Sequence, residues 1–181
     1  MQIVNLHPDD RDLIEETARV LFDAFQQMSW PTMDDAREEV LELLGADKIS
    51  RVALDDEGHV LGWIGAISHY GGNAWELHPL AVRPDQQRSG IGRALVQDLE
   101  ARVRERGAIT LYLGTDDINN QTSLGGVDLY PNVFEHIAHI QNLRNHPYEF
   151  YQRLGFAIVG VTPDANGFGK PDIFMAKRIG P

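Results

Sequence analysis

Gln87-Arg88-Ser89-Gly90-Ile91-Gly92 is the stretch on which the reading of this chain turns. Trp75 to Val82, ahead of it, reads as a strand. Behind it Ile91, Leu95, Leu99 and Val103 recur every fourth residue, an amphipathic helix that Gly107 ends. A glycine-rich loop between strand and helix leaves backbone N–H groups unpaired at the positive end of the helix dipole. Phosphate oxygens are the natural guests there. Gly90 and Gly92 have no side chain to block the approach, and Arg83, Arg88 and Arg93 add positive charge. Two glycines alone fit a plain strand-to-helix turn as well, and neither the dinucleotide fingerprint nor the Walker A pattern is present.

Upstream, Gln2 to Leu6 reads as a strand, and Asp9 or Asp10 can cap a helix running to about Met28. Trp30-Pro31 breaks that helix. Thr32 with Asp35 resembles a capping box, and the helix it opens carries Ala36, Val40, Leu43 and Leu44 as far as Gly45. Ile49 to Leu54 and Val60 to Ser68 are strands around the turn Asp55 to Gly58. With Trp75 to Val82 they predict an antiparallel meander.

Downstream, Ile109 to Leu113 is a short apolar strand, so strand, helix and strand predict a right-handed crossover between parallel strands. A long polar segment fills residues 114 to 131, a length that is commonly functional. Helical patterns follow over Val133 to Leu143 and from Pro147 to Leu154, stopped by Gly155. Phe156 to Val161 and Ile173 to Lys177 close the chain as strands. No repeat or linker interrupts it, so a single α/β domain over residues 1–181 is expected.

Composition narrows the classes. With no cysteine, disulfides, thiolate metal sites and a cysteine nucleophile are excluded. No signal peptide or apolar span stands out, so a cytoplasmic location is expected, with no membrane partner. A net charge of −11 repels nucleic acid and draws cations.

The loop resembles the Gln/Arg-x-x-Gly-x-Gly/Ala signature of the Gcn5-related N-acetyltransferase superfamily, and Tyr151-Gln152-Arg153-Leu154-Gly155-Phe156 is similar to that family's second landmark. Further blocks resemble the chromosomal aminoglycoside 6′-N-acetyltransferases of Gram-positive bacteria. They are Trp30-Pro31, Gly62 to Ile67, Trp75 to Leu80, Tyr112 to Asp117, His146 to Tyr151 and Lys170 to Ile173. They run from about residue 30 to the carboxyl terminus; the first thirty residues match weakly, and Asp34 to Glu39 is shortened.

The resemblance implies the family fold, a central mixed sheet flanked by helices, and direct transfer of acetyl from acetyl-coenzyme A to the 6′-amine of an aminoglycoside. No metal is expected; a homodimer and a role in antibiotic resistance follow from the resemblance alone. It gives the pyrophosphate to Gln87, Arg88, Ser89, Gly90, Ile91, Gly92 and Arg93. It gives the thioester and pantetheine arm to the backbone of Leu80, Ala81 and Val82, with the Leu80 amide as oxyanion donor beside a bulge at Pro79.

Glu76 and His78 lie two apart on a strand and so share a face. By themselves they read as a solvated charge and a structural histidine. The resemblance makes Glu76 the amine-binding base and His78 a positioning group. It makes Tyr151 the proton donor to the coenzyme A thiolate, against the alternative of a core tyrosine. Where the family has an asparagine, seven residues before this tyrosine, the chain has Arg144. Asn142 or Asn145 is the substitute for that coenzyme A contact.

A polycationic substrate suits acidic surroundings, so Asp116 and Asp117 join Glu76 as substrate ligands, and Trp30 and Tyr70 offer ring faces. Turn capping is the alternative for the aspartates and core packing for Trp30. Two rival functions stay open: acetylation of another cationic amine such as a polyamine, peptide or protein, and a coenzyme A-binding regulatory module without catalysis.

Overall fold

Four antiparallel strands in the order β1-β2-β3-β4 carry the amino-terminal unit of the chain: β1 Gln2–Asn5, β2 Lys48–Leu54, β3 Val60–His69 and β4 Ala74–Val82. The computed structural model describes residues 1–25 and 29–180. They divide into two units, Met1–Ile109 joined by the residues from Ile179, and Thr110–Arg178. The meander expected of β2, β3 and β4 is present, with Val52 opposite Trp63 and Ile67 opposite Glu76.

Helix α1, Arg11–Ala24, packs on this sheet with α2, Met33–Glu42. The expected end of the first helix at Met28 lies outside the described residues. Asp10 is at the N-cap of α1 but gives it no side-chain bond. The Thr32–Asp35 capping box is complete: Thr32 Oγ1 accepts from the Asp35 amide at 3.1 Å, and the Asp35 carboxylate accepts from the Thr32 amide at 2.9 Å. Ala18, Leu21, Ala36, Val40, Leu43 and Trp63 form the centre of the core. Burying each leucine there contributes about 2 kcal/mol.

Helix α3, Ile91–Glu105, is tied to the sheet by Arg51 on β2, which is buried and bonds the Asp98 carboxylate through Nε at 2.7 Å and Nη2 at 3.1 Å. Two nitrogens on two oxygens fix the angle at which strand and helix meet.

The second unit holds three antiparallel strands in the order β5-β7-β6: β5 Thr110–Asp116, β6 Ala157–Thr162 and β7 Asp172–Arg178. β5 is longer than its apolar run predicts. Its ladder with β7 continues through Thr115–Ile173 to Asp116–Asp172, because backbone pairing does not require apolar side chains. In contrast α4 is short, Val133–Ala138, where the sequence predicts a helix to Leu143. Residues 139–146 leave the helix to bond the preceding loop: Ser123 donates to the Gln141 carbonyl, and Leu143 to that of Gln121. The last helix, α5, is Tyr148–Arg153 with Pro147 at its N-cap.

Candidate active site

In the first unit the loop after β4 is built by side chains that bond their own backbone. Pro84–Gln86 is one 3₁₀ turn, beside which Arg83 grips Asp85 through Nε at 3.1 Å and Nη2 at 2.9 Å. The Arg83 charge is thereby matched locally, while Arg88 and Arg93 are exposed. Gln87 Nε2 donates to the Val82 carbonyl at 3.3 Å, and Ser89 Oγ to that of Gln86.

Gly90 caps α3 with φ 97°, a left-handed conformation that side chains resist, and a Cβ there would meet nothing within 4 Å. The space above the helix end is therefore open. The helical ladder begins with the Ala94 amide on the Gly90 carbonyl at 3.0 Å. The N–H groups of Ile91, Gly92 and Arg93 precede it, and no acid lies in that first turn. An anion is favoured here. Ile91 contributes backbone alone, since its side chain is buried.

On β4, burial alternates strictly. Trp75, Leu77 and Ala81 are buried, while Glu76, His78, Leu80 and Val82 are half-buried. The expected interruption at Pro79 is a bulge: Ile64 pairs with Leu80 and Ala66 with Leu77, so His78 and Pro79 together oppose Gly65. A Cβ on Gly65 would collide with the His78 carbonyl oxygen and with Leu43 Cδ1. Only glycine fits across from the bulge.

Histidine–carboxylate contacts flank this strand. Glu76 Oε2 is 3.2 Å from His69 Nε2, and His78 Nε2 is 3.3 Å from Glu39 Oε1. The second oxygen of Glu39 accepts from the Trp30 indole N–H at 3.1 Å. The Trp30 ring lies 6.1 Å from that of His78 and meets Phe25 edge-on at 4.9 Å. Bonding to His78 holds the Glu39 carboxyl below its usual range, against the opposing effect of burial. Neither Glu39 nor His69 was among the residues the sequence singles out. Glu39 adjoins the apolar stripe of Ala36, Val40 and Leu43, and an acid at the margin of a buried helix face was the signal. Tyr70 is 80% exposed, in the 3₁₀ turn Tyr70–Gly72.

In the second unit Asp116 and Asp117 divide. Asp116 is exposed at the end of β5, with Asn166 bonding its side chain. Asp117 is fully buried, and its carboxylate accepts from the Gln121 amide at 2.6 Å, the Thr122 amide at 2.8 Å and Thr122 Oγ1 at 2.7 Å. Its expected place among the substrate ligands is corrected: it caps the turn from inside, as aspartate does routinely.

Asn142 is likewise committed within the unit. Its amide donates to the His146 carbonyl at 3.0 Å and its oxygen accepts from the His146 amide at 2.8 Å. Arg144 and Asn145 lie inside the turn thus closed. His146, which the sequence reading also passed over as a site residue, is buried against Asp116 and Tyr148.

Tyr151 is 8% exposed in α5, with Phe150 and Phe156 edge-on to it at 5.0 and 5.8 Å. Burial raises its pKa well above the ordinary phenol value of about 10.

Against known proteins, residues 14–131 match the model of the Acetyltransferase (GNAT) family. No curated protein sequence matches. Among solved structures, an aminoglycoside 6′-N-acetyltransferase complexed with coenzyme A is similar, with a TM-score of 0.92 and 45% identity over 100% of this chain and 98% of that one. The aminoglycoside 6′-N-acetyltransferase from Enterococcus faecium gives 0.90 and 45% over the same shares. An aminoglycoside 6′-acetyltransferase type Ii gives 0.78 and 38%, covering 100% and 99%.

Proposed function

The chain belongs to the acetyltransferase (GNAT) family, and from that premise we propose that it transfers acetyl from acetyl-coenzyme A to the 6′-amine of aminoglycosides. The observation carrying the acceptor is the 45% identity, over the full length, to an aminoglycoside 6′-N-acetyltransferase crystallised with coenzyme A. The reading treats the whole chain as one catalytic domain. It includes a homodimer and a role in resistance, both following the resemblance, and a cytoplasmic location, where acetyl-coenzyme A is found.

The residues fit donor and acceptor. The open, cationic start of α3 suits a pyrophosphate, whose oxygens take the N–H groups of the Gln87–Arg93 loop. Acetyl-coenzyme A would supply the acetyl thioester when bound. The backbone of Leu80, Ala81 and Val82 takes the pantetheine arm, and the Leu80 amide beside the bulge takes the carbonyl oxygen as it gains charge. Asn142 keeps a coenzyme A contact only through what its bonds to His146 leave accessible.

Glu76 holds the acceptor ammonium and removes its proton, directly or through water, and the neutral amine attacks the thioester carbonyl. The C–S bond then breaks, and the thiolate leaves. Trp30, Tyr70 and Asp116 serve the remaining rings and ammonium groups of the substrate. A phenol raised by burial lies further above a thiol, near 8.5, than an exposed one. Tyr151 therefore acts as a hydrogen-bond donor to the leaving sulfur, and the sulfur acquires its proton from the amine side of the reaction.

Coenzyme A release with acetyl-coenzyme A and a panel of amines tests the reading. Turnover with kanamycin and none with its 6′-hydroxyl analogue is expected. Turnover with polyamines or peptides alone would sink it. Tight acetyl-coenzyme A binding without turnover would establish the regulatory module instead.

A further inference from the structure

Glu39 lies in none of the sequence blocks that resemble the aminoglycoside enzymes, yet it touches two residues that do. Its Oε2 takes the Trp30 indole N–H at 3.1 Å, and its Oε1 is 3.3 Å from His78 Nε2. Trp30 stands between the end of α1 and the start of α2, Glu39 on α2 and His78 on β4, so one carboxylate joins three separate parts of the unit. Phe25 backs the indole from its other side.

A carboxylate only accepts. The Trp30 N–H and the N–H of His78 at Nε2 therefore both point at Glu39, one towards each oxygen. Both rings are half-buried or more open, with the His78 side chain 42% exposed, and each has torsional freedom that substrate binding would otherwise have to remove. The Glu39 side chain is only 19% exposed, which strengthens bonds to its charge relative to open water.

We infer that Glu39 is a positioning residue for the amine acceptor, fixing the Trp30 indole and the His78 imidazole through its two oxygens before substrate arrives. The inference rests on the proposed function. It adds a residue whose contribution lies in acceptor recognition and is silent towards acetyl-coenzyme A. The geometry also distinguishes two substitutions. Glu39→Ala releases both rings, whereas Glu39→Gln keeps an acceptor for one ring but loses the charge and presents an amide N–H in place of the other oxygen.

Steady-state constants for kanamycin and acetyl-coenzyme A in the wild type, Glu39→Gln, Glu39→Ala, His78→Ala and Glu39→Ala/His78→Ala test it. The kanamycin KM should rise roughly tenfold in Glu39→Ala and less in Glu39→Gln. The acetyl-coenzyme A KM should stay at the wild-type value. Adding His78→Ala to Glu39→Ala should cost less than His78→Ala does alone, because the two act through one contact. Glu39→Gln has nearly the same volume, so thermal unfolding matching the wild type certifies its constants even if Glu39→Ala folds poorly. An active wild type whose kanamycin KM is unmoved in both variants overturns the inference alone, as do parallel rises in both KM values or full additivity with His78→Ala. A wild type that leaves kanamycin unacetylated overturns the function and this inference with it.

Discussion

His146 holds its Nε2 3.1 Å from the backbone oxygen of Asp116. A carbonyl oxygen accepts only, so that nitrogen carries the proton. Its Nδ1 lies 3.2 Å from the Tyr148 amide, which donates only, so Nδ1 carries the lone pair. The ring is thus fixed as one neutral tautomer linking the end of β5 to the first turn of α5, the helix that bears Tyr151.

Burial lowers the pKa of His146, so the folded state favours the uncharged ring. For a base depressed on folding, the stabilisation is complete above the unfolded value of about 6.5 and erodes as pH falls towards the folded value. The wild type should lose stability below that pH at up to about 1.4 kcal/mol per unit from this group. His146→Gln should be less stable at pH 7.5 by about 1–3 kcal/mol. Urea unfolding at several pH values should show the gap between the two narrowing from pH 7 to 5.5.

Gly65→Ala should destabilise the protein by about 1–3 kcal/mol, since the new methyl meets the His78 carbonyl and Leu43. The strand has to give at the bulge, so the acetyl-coenzyme A constants should worsen too. Chemical denaturation and initial rates check both effects. A variant with wild-type stability would remove the close approach from the account.

Tyr151→Phe should lower kcat by about 100-fold, the scale of one lost donor at a reacting atom, and change the acetyl-coenzyme A dissociation constant little. Because burial pushes the phenol pKa up, the wild-type rate should show no loss attributable to tyrosine ionisation up to pH 10. An alkaline limb present in the wild type and absent from the variant would contradict that.

Asp116 and Asp117 are neighbours with opposite expectations. Asp117→Ala strands three donors inside the protein and should cost about 3 kcal/mol or more of stability. Asp116→Asn should leave the melting temperature near the wild-type value and raise the KM for kanamycin. Thermal unfolding and kinetics together separate the two roles.

Most of this was legible from the chain, in ways that trace to local rules. The Thr32 box, the bulge expected at Pro79 and the helix after Gly90 each depend on residues a few positions apart. What escaped depends on partners far along the sequence. Nothing local says that β5 continues to Asp116, because its partner is Asp172 on β7. The helix after Val133 stops early because Gln121 and Ser123 compete for its backbone groups. Glu39 reads as one acid among several on α2 until Trp30 and His78 are brought beside it. Asp116-Asp117 reads as a pair, and only the turn made by Gln121 and Thr122 decides which carboxylate goes inside.

That turn also bears on how the chain meets proteases. A polar segment following β5 looks like an easy cut, yet Asp117 anchors its start from within, Leu124 and Leu129 are buried, and the Gly126 amide reaches the Gly169 carbonyl at 2.7 Å. A protease must draw several residues into an extended form, which here means extracting two leucines and breaking the carboxylate's bonds together. Cleavage in this segment is therefore governed by the opening of the second unit, and the loop survives digestion for as long as that unit stays folded.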